Sequence, residues 1–444
     1  MENEQCKGYT LLSPIGPDTR AVLVDMDGKI VKEWEIHGDP VKMLPGGSIL
    51  GYRRTRTGKD PLAPPPPEPV PPPKHDAGPP PGGPRPGGPP AGGPPHNPPW
   101  FDNIEIVQIS WDGEEEWSFN NWDDNGTGVM MARWHHDFER EGNPVGYYAP
   151  GQDFVDKGKT LLLAHKNKVI PEISDKELVD DVMYEVDWDG NLTGFEWHPA
   201  DHFEEYGFSE SARENIYENP SYHEDRGIGD WLHLNTLSVL GKNHWYDETG
   251  DDRFHPENIM SSSRGANFIF IFSRATGEVV WQVGPDFIGG KPEYKLGQFV
   301  GQHNPHFIPH GLPGAGNVLV FDNGGTSGYG GSGFPRYSRQ YSRIVEFNPV
   351  TLEIVWQYGA ESGDEFFFSH NISNSQRLPN GNTFINEGAN GRIFEVTVDK
   401  KIVWDIVSPF AGPMGPRVYR SYRIPPEWVP GNPAGYPEWA SLYE

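Results

Sequence analysis

Hydrophobic and polar positions repeat along this chain as a short phrase: an apolar run, a tight turn, a second apolar run and a closing tryptophan. The six copies end at Trp34, Trp117, Trp197, Trp281, Trp356 and Trp404. The turns carry pairs such as Asp-Gly or Thr-Gly, which favour a β-hairpin. Because one hairpin cannot bury its apolar face alone, the six copies predict a shared core.

The spacing of the copies is typical of a β-propeller, whose repeat is about 40 to 50 residues. Longer intervals predict insertions such as 199–230 and 283–300, folded as surface loops or small helices. We therefore predict an all-β, six-bladed β-propeller that residues 1–444 form as a single domain. The insertions leave room for a seventh blade. Each closing tryptophan is expected to pack between neighbouring blades.

Two segments stand outside this repeat. Residues 61–99 are rich in proline and glycine but lack the strict Gly-X-Y period of collagen. We expect an extended, polyproline-like loop inserted between the first and second blades, serving either as a docking segment or lid or as a tolerated surface insertion. Residues 411–444 are expected to form a C-terminal extension.

Net charge, hydropathy and cysteine content indicate which partners and which cellular compartment to expect. A formal net charge of −27 disfavours nucleic acid and anionic membranes as partners. No apolar run is long enough to cross a membrane. Cys6 is the only cysteine, so no internal disulfide can form. With no signal-like N-terminal pattern, these features predict a cytoplasmic protein, and they are compatible with a homo-oligomer.

Histidines recur where inner strands are expected to begin. They are His135, His136, His233, His303, His306, His310 and His370. Inner strands line the axis of a propeller, so equivalent positions on successive blades converge at the channel mouth. Three interpretations remain open: an acid/base and nucleophile set for group transfer, ligands of a transition metal, or structural hydrogen-bonding groups. Asp137 and Glu139 could complete a mixed shell in the metal interpretation.

Arginines cluster in the segment PRYSRQYSRIVEF, close to an FDNGG turn. A guanidinium binds tetrahedral oxyanions through two parallel hydrogen bonds, which a lysine cannot do. We therefore predict Arg336 and Arg339, with His136, as substrate-binding residues.

Several stretches resemble the bacterial arylsulfotransferase family of PQQ-like propeller proteins. They are SRIVEFNPVTLEIVWQYG, the FDNGG turn and SQRLPNGNTFINEGANGRIFEVT, and the resemblance covers roughly residues 100–410. It implies a six-bladed propeller that moves a sulfuryl group from an aryl sulfate to a phenol through a transiently sulfated histidine. It also implies a small aromatic substrate and no cofactor.

The resemblance also implies a set of site residues. His233 in WLHLNT and His303 in GQHN resemble active-site histidines of the family, and Asn323 of FDNG lies nearby. Arg343 in YSRIVEF resembles its sulfate-binding arginine. His370 in FSHN is where the nucleophile is expected, with His303 as the other choice.

Two other functions remain open. In the first, His136, His233, His303 and His370 hold a transition metal in a lyase or oxygenase. In the second, the propeller is a non-catalytic binding scaffold that uses the proline-rich tract to dock. A metal-free sulfuryl transferase is the leading hypothesis.

Overall fold

Six four-stranded antiparallel sheets form the blades of a β-propeller in the computed structural model of this protein. The structure describes residues 5–15, 20–53, 102–124, 130–221, 229–329, 337–360, 363–412 and 415–442. The predicted all-β, six-bladed propeller is thereby confirmed.

The strands of each blade are given from the channel outward. Blade I contains β28 (Val418–Ile424), β1 (Tyr9–Pro14), β2 (Ala21–Val24) and β3 (Ile30–Trp34). Blade II contains β4 (His37–Met43), β5 (Ile49–Arg53), β6 (Glu105–Ile109) and β7 (Glu115–Phe119). Blade III contains β10 (Trp134–Arg140), β11 (Thr160–Ile170), β12 (Ser174–Val186) and β13 (Leu192–Trp197).

The remaining blades follow the same order. Blade IV contains β14 (Leu234–Val239), β15 (Ile259–Ser263), β16 (Phe268–Phe272) and β17 (Val279–Val283). Blade V contains β18 (His303–Phe307), β19 (Val318–Asp322), β22 (Arg343–Phe347) and β23 (Ile354–Tyr358). Blade VI contains β24 (Asn374–Arg377), β25 (Thr383–Glu387), β26 (Arg392–Val396) and β27 (Ile402–Val407).

Short elements decorate the blades. Two small hairpins pair β8 (Asp123–Asp124) with β9 (Met130–Met131) and β20 (Gly325–Ser327) with β21 (Tyr337–Arg339). The helices are α1 (Glu210–Glu218), α2 (His244–Thr249) and the 3₁₀ segments Pro199–His202, Asp252–Phe254, Pro292–Leu296, Pro426–Trp428 and Trp439–Leu442. The predicted small helices in the 199–230 and 283–300 insertions are present. Within the described residues, no helix has the length and apolar character that crossing a membrane requires.

Middle strands are apolar on both faces because each blade is covered by two neighbours. All five residues of β16, FIFIF, are buried, whereas β17 at the outer edge alternates between partly exposed and buried positions. A sheet that packs on both faces needs such continuous apolar runs, and only its edge can show alternation.

The closing tryptophans join successive blades in a ring. Each indole N–H donates to a carbonyl in or beside the outer-hairpin turn of the next blade. The pairs are Trp34 to Ser110 (3.1 Å), Trp117 to Trp188 (3.0 Å), Trp197 to Gly277 (2.8 Å), Trp281 to Pro349 (2.8 Å), Trp356 to Val398 (3.0 Å) and Trp404 to Met26 (2.8 Å). The prediction that these side chains pack between blades is confirmed.

The two chain ends meet in blade I, which corrects the prediction of a C-terminal extension at 411–444. β28 lies in that segment and pairs with β1, with Tyr9 opposite Ile424 and Leu11 opposite Tyr422. The segment therefore supplies the innermost strand of a blade. Its sequence, VYRSYRI, carries no tryptophan hairpin, so the repeat pattern could not reveal it.

The proline-rich tract at 61–99 lies outside the described residues, but its flanks correct its predicted place between two blades. It falls between β5 and β6, which pair directly within blade II, with Arg53 opposite Glu105. The tract is therefore an insertion inside one blade, between its second and third strands.

Replacing Trp281 by phenylalanine should lower the free energy of unfolding by about 1 kcal/mol, because its buried indole bond to Pro349 is lost while most of the ring remains. The Trp356 bond to Val398 is exposed, so Trp356→Phe is the matched control and should cost less. Denaturant midpoints of the two variants measure the difference. A larger loss in Trp356→Phe would contradict the view that the buried indole bonds matter most.

A chain that ends at residue 412 should fail to yield folded monomer, because β1 would lose its partner and expose an unpaired edge. A chain that ends at residue 442 is the control and should fold normally. Size-exclusion chromatography with circular dichroism distinguishes them. A stable, monomeric protein ending at residue 412 would show that β28 is dispensable.

Candidate active site

Inner strands of four blades share a distorted start. Pairing shifts register near the beginning of β4, β10, β14 and β18, as in a β-bulge. Non-glycine residues with a left-handed φ lie near the starts of β10, β14, β18 and β24: His136 (54°), His233 (53°), Asn304 (51°), and the pair Ile372 (54°) and Ser373 (88°). Bulges redirect side chains, and such strained residues are concentrated at functional sites. The distortion therefore marks one end of the channel as the candidate site.

His136 and His233 face each other at this end. Their ring centroids are 4.4 Å apart with planes at 74°. Nδ1 of His233 lies 2.6 Å from Oδ2 of Asp230, and Nδ1 of His136 lies 2.8 Å from Nδ1 of His135. Burial lowers the pKa of His136 well below its usual value, and the imidazoles of His233, His135 and His303 lower it further. His136 is therefore neutral at physiological pH.

His303 is held by a defined set of hydrogen bonds. Its Nδ1 lies 2.7 Å from Oδ1 of Asn323 and 2.9 Å from the carbonyl oxygen of Gly301. Both partners accept, so Nδ1 carries the proton and Nε2 keeps its lone pair. Burial lowers the pKa of His303 well below its usual value, and the charge of Arg264 lowers it further.

Asn323 links His303 to the loop that carries His370. Its Nδ2 donates to the carbonyl oxygens of Ser369 and Ile372, each at 2.8 Å. The His370 side chain is exposed, unlike the other histidines of the site. Its pKa is lowered by partial burial, then by the charges of Arg417 and Arg264. His370 thus lies at the rim, next to the group formed by His136, His233, His303 and Asn323.

The contacts of Arg343 are with Asp322 and with the segment that begins at Leu296. Its Nε donates to Oδ2 of Asp322 at 2.7 Å, and its Nη2 donates to the carbonyl oxygen of Leu296 at 2.9 Å. Asp322 and Arg343 are cross-strand partners on β19 and β22, the second and third strands of blade V. These contacts favour a structural role over sulfate binding.

Arg339 also contacts Asp322. Its Nη2 lies 2.7 Å from Oδ1 of that carboxylate, and its Nη1 donates to the carbonyl oxygen of Gln298. Burial works to raise the pKa of Asp322, but Arg339 and Arg343 outweigh it and lower that pKa. The two ion pairs of Asp322 therefore stabilise the folded protein at neutral pH. This stabilisation is lost as the pH falls through the lowered pKa of Asp322. Arg336, also predicted to bind substrate, lies outside the described residues.

The sequence analysis missed two arginines, Arg264 and Arg420, whose charges act on His303. Arg264 follows β15 in the turn SSSRGANF, and its charge acts on both His303 and His370. Arg420, on β28, donates from Nη1 to Oδ2 of Asp137 at 3.0 Å. No tryptophan hairpin or histidine marks either position, so only the assembled ring brings them to the site.

Asp137 and Glu139 do not form the mixed metal shell proposed around His136. Nζ of Lys42 lies 2.8 Å from Oδ1 of Asp137, and the Val239 amide donates to Oε2 of Glu139 at 2.9 Å. Among the described residues, the His/carboxylate group with the spacing of metal ligands is His135, His165 and Asp181. It contains none of the four imidazoles of the predicted alternative metal set.

Comparison with solved structures returns other propeller-sized chains at low similarity. A protein of unknown function from Bacteroides caccae is 11% identical, with 94% of this chain and 98% of that chain covered and a TM-score of 0.43. A putative 6-phosphogluconolactonase from Bacteroides fragilis is 8% identical, with 95% and 99% covered and a TM-score of 0.37. Apo AztD from Citrobacter koseri is 8% identical, with 93% and 97% covered and a TM-score of 0.38.

Comparison with protein families gives a direct assignment. No curated protein matches the chain. The model of the family described as Arylsulfotransferase (ASST) matches residues 151–403, a range that includes His233, His303, Asn323 and His370. The match spans more than half of the chain and covers blades IV and V with most of blades III and VI. The chain therefore belongs to the arylsulfotransferase family.

Proposed function

We propose that this protein transfers a sulfuryl group from an aryl sulfate to a phenolic acceptor, with His303 as the residue that is transiently sulfated. Family membership supports the reaction class. The observation that carries the choice of residue is the pair of acceptors, Asn323 and Gly301, that hold the proton of His303 on Nδ1. Nε2 is then left as a nucleophile.

The surroundings of His303 suit attack on sulfur. Burial and the charge of Arg264 keep its imidazole neutral, which is the nucleophilic form. We assign the binding of the sulfate oxygens to the planar guanidinium of Arg264, whose charge acts on His303. Preorganised donors of this kind stabilise the charge that develops on those oxygens in the transition state.

His233 and Asp230 form the acid/base pair of the proposed reaction. The 2.6 Å contact of Nδ1 with the carboxylate orients the imidazole and leaves Nε2 on the opposite side of the ring. In the first step Nε2 of His303 bonds to sulfur, the ester S–O bond breaks, and His233 in its protonated form gives the proton on its Nε2 to the phenolate that leaves. In the second step His233 accepts the proton of the incoming phenol, whose oxygen bonds to sulfur as the N–S bond breaks.

Incubation with p-nitrophenyl sulfate and no acceptor should make the protein heavier by one sulfuryl group, with the label on the peptide that contains His303. Intact-mass and peptide mass spectrometry measure this. His303→Gln should lower the transfer rate by about 10³-fold or more, as expected for loss of a nucleophile.

His306→Gln is the matched control, because His306 is an equally buried imidazole on the same strand that bonds instead to Tyr147. It should retain the label. A label on His370 would move the nucleophile to the rim while leaving the reaction intact. An unlabelled protein that also fails to form a sulfated phenol would contradict the proposed function.

Arginine-to-lysine changes at two positions should have opposite effects. Arg264→Lys should lower kcat/KM by about 10- to 100-fold with little loss of stability, because the charge stays but the fork geometry is lost. Arg343→Lys should lower the melting temperature with activity per folded molecule retained, because its bonds to Asp322 and Leu296 need the same fork. The reverse pattern would return the sulfate-binding role to Arg343.

A further inference from the structure

Three side chains of blade III meet at one level of the sheet, behind the channel histidines. His165 on β11 is the direct cross-strand partner of Asp181 on β12. His135 on β10 follows Trp134, which is paired with Ala164. Three neighbouring strands therefore each bring one metal-ligand side chain to the same place. All three residues are buried, at 0 to 2% exposure.

The potential ligand atoms of these three side chains lie close together. Nε2 of His135 lies 3.3 Å from Oδ1 of Asp181, and Nε2 of His165 lies 3.8 Å from the same oxygen. The ligand atoms of all three residues lie within 4.8 Å of one another. Ligand atoms bonded to one ion at about 2.0 to 2.2 Å are separated by comparable distances.

The Nδ1 atoms of both imidazoles make hydrogen-bond contacts of the kind that outer-shell partners make in metal sites. Nδ1 of His165 lies 2.7 Å from Oδ1 of Asp102, whose other oxygen accepts from Nε of Arg133 at 2.9 Å. Nδ1 of His135 lies 2.8 Å from Nδ1 of His136. A histidine that donates from Nδ1 to a carboxylate presents the lone pair of Nε2 to the metal, as in carboxylate–histidine–metal sites.

Charge around Asp181 also calls for a cation. Among the described residues, the charges that act most strongly on this buried carboxylate are those of Asp230 and Asp180, both negative. The positive charge of Arg133 is engaged by Asp102, not by Asp181. Burying ionised carboxylates side by side is costly unless a cation or a proton compensates them.

We propose that His135, His165 and Asp181 bind one divalent first-row transition metal ion, such as Zn²⁺, in a buried site with three protein ligands. Two imidazoles and one carboxylate favour such an ion over Mg²⁺ or Ca²⁺, which take oxygen ligands. The rings stack with centroids 3.5 Å apart and planes within 6°. Parallel rings direct their Nε2 lone pairs side by side, so coordination of one ion requires at least one ring to turn toward it. The site ties three strands of blade III together and is independent of the proposed sulfuryl transfer.

The test uses the full chain, purified without a histidine tag from cells grown with added zinc, cobalt and manganese salts. Elemental analysis should find close to one equivalent of transition metal per chain. Removal of the ion with a chelator should lower the melting temperature, and added Co²⁺ should restore it and produce the visible absorption of nitrogen-coordinated cobalt.

Substitution of a ligand should weaken binding of Co²⁺ by about tenfold or more in His165→Gln and in Asp181→Asn. Asp180→Asn is the matched control: it removes the adjacent buried carboxylate of the same strand, which contacts Trp231 and lies outside the cluster. It removes a nearby negative charge but no ligand, so it should weaken binding much less than the ligand variants do.

Two results would overturn the proposal. One is a folded, unsubstituted chain that carries no transition metal and takes up no Co²⁺ after chelation. The other is a folded His165→Gln or Asp181→Asn variant that binds Co²⁺ as tightly as the Asp180→Asn control. If both ligand variants fail to fold, the metal content and cobalt spectrum of the unsubstituted chain decide the question alone. Each readout is separate from sulfuryl transfer, so it can fail without the proposed function failing.

Discussion

Closure of the ring is the constraint on which the rest of the structure depends. A blade with two apolar faces is stable only with a neighbour on each side, and a closed ring alone gives every blade two neighbours. The indole of Trp404 in blade VI donates to Met26 in blade I at 2.8 Å, which completes the series of interblade bonds. The pairing of β1 with β28 closes the ring a second time, through the backbone.

Closure of the ring also determines which side chains can lie at the centre of the propeller. Six inner strands meet there, and their buried polar groups must satisfy one another. Arg420 of blade I and Lys42 of blade II both contact Asp137 of blade III. Burial works to raise the pKa of Asp137, but these two cations outweigh it and lower that pKa. The ionic contact thus links three blades, whereas burial favours the neutral form of the His136 and His303 imidazoles.

The repeat could be predicted from the sequence because its signal is local. Each tryptophan lies in the same hairpin as the turn that identifies it, so six hairpins indicated six blades. His136, His233 and His303 were predictable for a related reason, since each lies at or beside the start of an inner strand. β28 was missed because its partner, β1, is at the other end of the chain. Its pairing is therefore a property of the closed ring.

The site was only partly predictable because register decides what a side chain contacts. Arg343 lies in a segment that resembles the family, yet its guanidinium is paired with Asp322, its cross-strand partner within blade V. Arg264 lies in an unremarkable turn and acts on His303. His165 and Asp181 are far enough apart in sequence to form no motif, and they meet because they are cross-strand partners.

The bulge near the start of β10 explains how the adjacent residues His135 and His136 contact two different groups of side chains. Regular pairing along β10 is interrupted between Trp134 and Phe138. Within that interval His135 stacks on His165 inside the blade, while His136, at φ 54°, meets His233 across the channel. A bulge inserts extra residues and redirects side chains, so one short interval can supply both the interior of blade III and the channel. The 2.8 Å contact between the two Nδ1 atoms links these places.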